Sequence, residues 1–134
     1  MTKVTLILIC FILFISCKKE IVQKQFSGKW EYATFIGYPF NDNALPPGNG
    51  KIIVLGQSSS FERYMHDTLI FKGHYSIERK KDCGSNEQKY FLNTNDSLFA
   101  KGLIIDVRND SLFLSTPNCY ADGGVGIYRR VRLK

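Results

Sequence analysis

From Phe26 onward, apolar residues recur at every second position, the period of a strand with one face buried and one wet. The stretch LIFKGHYSI shows it most cleanly. Leu69, Phe71, Gly73, Tyr75 and Ile77 fall on one side, and Ile70, Lys72, His74, Ser76 and Glu78 on the other. The same pattern predicts strands over 28–37, 51–56, 60–66, 88–93, 99–108, 112–115 and 126–133, eight in all. Turn-forming clusters separate them: NDNALPPGNG, KKDCGSN, NTNDS, RNDS and TPNCYADGG. No helical stripe of ten or more residues competes. Eight short, closely spaced strands predict an all-β domain, an antiparallel up-and-down eight-stranded barrel, with a small β-sandwich as the alternative.

Residues before Phe26 follow another rule. Lys3 precedes 12 almost wholly apolar residues, Val4 to Ile15, too few for the roughly 20 that a spanning helix needs. Their length suits the central region of a signal peptide. FISC, residues 14–17, resembles a bacterial lipobox, although Phe14 stands where Leu is usual. That resemblance implies cleavage after Ser16 and lipid on Cys17, with palmitate-type acyl chains holding the protein to a membrane at roughly 0.8 kcal/mol per buried methylene. The expected organisation is a signal peptide over 1–16, an acylated tether over 17–25 and a barrel domain over 26–134. The expected location is the bacterial cell envelope, more readily the outer membrane than the inner, on its periplasmic or its outer surface.

Composition then narrows the partners. The net charge is +6, and cleavage would lower it by one, but the basic residues are scattered apart from Lys18-Lys19, Arg79-Lys80-Lys81 and Arg129-Arg130. Export excludes nucleic acid as the natural partner; anionic lipid or polysaccharide fits the excess better. Of four cysteines, Cys10 leaves with the signal and Cys17 carries lipid, so Cys83 and Cys119 remain as a pair in an oxidising compartment. A bridge between them would tie two connections at one end of the fold and restrict the unfolded chain by roughly 4 kcal/mol. Two free thiols or a metal site are the alternatives, the latter disfavoured without a His pair beside them.

The pentapeptide NDSLF occurs at 95–99 and again at 109–113, a turn-then-strand device in which Asn and Asp tolerate left-handed geometry. PPGNGK, 46–51, lacks phosphate-loop spacing and reads as a surface turn. His66 and His74 have no catalytic partner in a familiar spacing, no nucleophile or metalloprotease motif is present, and neither enzyme activity nor a cofactor nor a metal is expected.

SGKWEY, 27–32, opens the first strand with Gly-x-Trp, and GIYRRV, 126–131, closes the last. Together with GHYSI and DSLFLS they resemble the small lipocalin-like lipoproteins of Gram-negative bacteria. In that group the Trp closes the narrow barrel end and an Arg lies across it, a contact worth roughly 0.5–2 kcal/mol. Alternation favours Arg129 for this role, whereas the family's Tyr-x-Arg spacing favours Arg130, the reading preferred here, with Trp30 as its partner. The resemblance also implies a small apolar ligand inside the barrel. Tyr32, Ile36, Phe71, Tyr75, Ile105 and Leu114 are the candidate ligand-facing residues, or else simply the core of a small domain. The competing function is an envelope structural or interaction module, or an inhibitor, with no internal ligand.

Overall fold

The computed structural model describes residues 21–38, 42–99 and 102–132. The expected signal segment 1–16, the lipid-bearing Cys17 and residues 18–20 lie outside the described residues. Eight strands form one closed antiparallel barrel, each paired with its sequence neighbours and β8 returning to β1. They are β1 Gly28–Gly37, β2 Ile52–Leu55, β3 Ser60–Met65, β4 Thr68–Lys81, β5 Gln88–Thr94, β6 Leu103–Arg108, β7 Ser111–Ser115 and β8 Gly124–Arg130. Every strand sends a side chain into the core: Trp30, Ile53, Phe61, Tyr75, Leu92, Ile105, Leu112 and Tyr128 are all buried.

The segment expected as a tether is helical over 21–26, here called α1. Val22 and Phe26, one turn apart, pack against the core, and Phe26 is fully buried. Ser27 ends the helix, its N–H donating to Gln23 O and its hydroxyl to Lys24 O. Trp30 Nε1 then donates 3.0 Å to Phe26 O, so the indole locks α1 under the barrel. Arg130, the register partner of Trp30, places its guanidinium carbon 4.1 Å from the ring centroid and donates Nη1 to Ser27 O. Gly28 is required beside it, with φ +148° and a would-be Cβ only 2.7 Å from Arg130 Nη1. All eight strands and the buried core lie within residues 21–132.

Two bulges reset the alternation. Tyr32 pairs with Tyr128, but the next partner of Ile127 is Thr34, leaving Ala33 as the extra residue. Phe35 therefore turns inward, where its ring occupies the space a Cβ on Gly124 would need. Ile36 turns outward and is 54% exposed, which corrects its expected inward place: strict period two does not survive a bulge. A second irregularity, between Arg63 and Tyr64 of β3, sets Phe71 and Leu69 opposite them and leaves Leu69 and Ile70 exposed.

The two NDSLF copies fold differently. Asn109 and Asp110, both with positive φ, form the two-residue turn between β6 and β7, as His66 and Asp67 do between β3 and β4. In the first copy Asp96 is instead buried and caps a local turn by accepting the Leu98 N–H. The strand expected from Phe99 consequently begins only at Leu103.

Cys83 and Cys119 are bridged, with Cα atoms 5.5 Å apart. The geometry differs from the expected tie within one end. In an up-and-down barrel the 82–87 and 116–123 connections belong to opposite ends, so the long β4–β5 hairpin must lean along the outer wall to reach Cys119. Only two residue pairs join β5 to β6, against seven between β4 and β5, which frees the hairpin to lean. Replacing Trp30 by Ala is expected to cost about 3–5 kcal/mol in urea unfolding. Arg130→Met is expected to cost about 0.5–2 kcal/mol, and less than additively when combined with Trp30→Ala.

Candidate functional site

The connections 42–51, 66–67, 95–99 and 116–123 surround the barrel end opposite α1. Inside this mouth lies a cavity of about 200 Å³ whose walls include Tyr32, Ile53, Arg63, Phe99 and Tyr128. Arg63 follows Phe61 by two residues on β3 and so faces inward with it. Its Nε and Nη2 donate to Asp96 at 2.6 and 3.2 Å, and the Asp96 carboxylate is buried. The pair fixes the guanidinium at the cavity wall, a geometry that specifies position more than it adds stability. Nη1 has no protein partner among the described residues. Lys51 reaches the same space, its ammonium 5.7 Å from the Tyr32 ring centroid.

Tyr32 and Tyr128 meet edge to face at 5.5 Å. Burial, with the hydrogen bond of its hydroxyl to Asp42 at 2.5 Å, pushes the Tyr32 phenol well above its ordinary pKa. Burial also raises Tyr128, and the Arg63 charge only partly offsets it. Both phenols therefore stay protonated across the physiological range. The wall offers a fixed guanidinium, an ammonium and neutral hydroxyls beside aromatic and aliphatic surface. Such a set orients a small molecule with an apolar body and an anionic end.

Of the six candidate ligand-facing residues, Tyr32 alone lines this cavity. Phe71 packs against Phe61 at 6.0 Å, while Ile105 and Leu114 are buried in the core. Tyr75 is buried too, its hydroxyl donating to Gly56 O. Arg63 was legible as a position, since alternation from Phe61 points it inward, whereas alternation along the last strand favoured Arg129 and so set Tyr128 on the wrong face. Asp96, 33 residues from Arg63, gave no local sign of its partner.

A second cavity of about 580 Å³ lies on the outer wall beside the leaning hairpin. Ile36, Phe113, Val125 and Ile127 line it, with Tyr90 and Ile104 where β5 parts from β6. Asp82 holds the hairpin tip. Its carboxylate accepts from Lys89 Nζ at 3.0 Å and from Asn118 Nδ2 at 2.8 Å.

The remaining charged groups separate rather than converge. Glu31, buried, accepts the Gly48 and Gly50 N–H groups and faces Arg129 at 3.6 Å, pinning PPGNG against β1. Glu62 pairs with Lys72, Glu78 with Lys80 and Asp106 with Arg108. His66 and His74 are both exposed, His66 in the β3–β4 turn and His74 on β4. No group of three metal-capable side chains occurs among the described residues. No protein-family model, no curated protein and no solved structure matches this chain.

The bond from Lys89 holds the Asp82 carboxyl below its ordinary pKa. A depressed carboxylate adds stability above its unfolded pKa near 4 and loses it as pH falls through the folded value. Melting temperature should therefore drop in acid for the wild type. Asp82→Asn should lie lower at neutral pH and show a shallower acid limb.

Proposed function

We propose that this protein is a lipid-anchored, lipocalin-like binding protein of the Gram-negative cell envelope that takes a small ligand at the barrel mouth. The mouth cavity carries this reading, because the deeper interior is already occupied by Trp30, Phe61, Leu92 and Leu112. Pockets for drug-sized ligands span roughly 300–1,000 Å³, so a cavity of about 200 Å³ suits a fragment. The expected apolar ligand accordingly becomes a short chain or single ring bearing a carboxylate. Its acid meets Arg63, and its body rests on Phe99 and the two tyrosine rings. The anchor is supported by the short apolar run and FISC at 14–17.

A second reading, an envelope interaction module, is favoured by one observation. Tyr38, Leu69, Ile70, Leu98 and Tyr120 are all exposed, and all lie around the mouth end. Such a ring of apolar tips is a docking edge for another macromolecule.

Benzoate, a single ring with one carboxylate, is the probe. Titration followed by NMR should move resonances of Tyr32, Phe99 and Tyr128 saturably. Affinity should fall by about tenfold or more in the Arg63→Met, Asp96→Asn double variant, which removes both charges of the buried pair. Unsaturable or unaltered shifts would discard the ligand reading in favour of the interaction module. Cys17→Ala should release the protein from cell membranes washed in molar salt, which strips electrostatic attachment, and retention after that wash would defeat the anchor.

A further inference from the structure

The barrel is electrostatically polar along its axis. The mouth-end connections carry the exposed carboxylates Asp42, Asp67 and Asp122, and no exposed Lys or Arg among the described residues. The opposite end, where α1 enters, is basic. Lys24 lies on α1 and Lys29 at the start of β1, both exposed. Arg132 follows β8, whose backbone continues beside Lys29 through Val131 N–H donating to Lys29 O. Arg79 sits 6.0 Å over the Tyr90 ring, and Tyr90 meets Phe26 of α1 edge to face at 5.5 Å, which brings Arg79 to the same end, while Lys80 and Lys81 run on toward the hairpin tip that Asn118 and Cys119 hold.

Some of these cations are neutralised. Asp110 serves both Arg130 and Arg132, and Glu78 serves Lys80. Lys24, Lys29 and Arg79 have no carboxylate partner among the described residues. The exposed Ile21 stands one turn before Lys24 and Gln25 on α1, an apolar side chain beside uncompensated positive charge.

We propose that the α1 end of the barrel is a docking face for an anionic lipid surface, laid flat on phosphate headgroups by Lys24, Lys29 and Arg79. The acidic mouth then points away from that membrane, toward solvent or a partner. The orientation rests on the proposed acylation of Cys17, because Ile21 of α1 follows that cysteine by only four residues, a reach of at most about 14 Å. The affinity for lipid does not rest on it. Headgroup attraction falls off within a Debye length, so the cations act only if this end is the one held close.

The test uses residues 18–134, which lack the acylated cysteine but hold all eight strands and the buried core, and so is blind to whether the anchor exists. Sedimentation with phosphatidylglycerol–phosphatidylcholine vesicles is expected to exceed that with phosphatidylcholine alone, and to vanish in molar salt. The Lys24→Glu, Lys29→Glu variant should partition at least about tenfold more weakly, at about fivefold for each cation removed. Asp67→Asn with Asp122→Asn, on the far end, should change binding by less than about twofold. Circular dichroism confirms that each variant is folded. Equal binding to both vesicle types, no binding to either, or an undiminished Lys24→Glu, Lys29→Glu variant overturns the proposal. Retention by a soluble anionic polysaccharide with no vesicle binding overturns it too, and assigns the face to that polymer.

Discussion

Closing a sheet into a barrel leaves one end to be sealed, and here a single indole does it. Trp30 is wholly buried, bonded to the Phe26 carbonyl and covered by the Arg130 guanidinium from the last strand. These contacts join the helix, the first strand and the last strand at one point. Because Trp30 and Arg130 are register partners, the same contact fixes how β1 and β8 pair. That register in turn places the Ala33 bulge, which turns Phe35 in and Ile36 out and so gives the outer groove one of its apolar walls.

Most of the eight strands could be read from period-two alternation with small errors at their ends; β2 is the exception, since Ile52 and Ile53 are both buried. Three departures have identifiable causes. The bulges moved Ile36 and Leu69, and a bulge is a property of pairing that one strand's residues do not reveal. Asp96 was drawn into the interior by Arg63, 33 residues away, so identical NDSLF segments took unlike forms. Residues 21–26 were too few to show a helical period, yet tertiary packing of Val22 and Phe26 makes them helical. Arg130 was chosen over Arg129 from the family's spacing rather than from alternation, and the structure sets it over Trp30.

The mouth follows from the same economy of space. The large side chains that are wholly buried, Trp30, Phe26 and Phe61 with Leu92 and Leu112, are used in filling the core. What stays open is the mouth end, where a buried ion pair and two phenols replace aliphatic packing. The outer groove arises differently: the two-pair join between β5 and β6 lets the hairpin lean, and the disulfide with Asp82 and Asn118 holds it there. A sealed basic end and an open acidic end give the barrel a direction.

Hydrogen exchange at the Trp30 indole N–H tests the sealed end most directly, because this chain has one tryptophan and therefore one such signal. If α1 is an integral part of the barrel, that proton exchanges as slowly as the best-protected strand amides, released only by global unfolding. Rapid exchange of the indole while the strand amides remain protected would show that α1 opens independently, and would contradict the account.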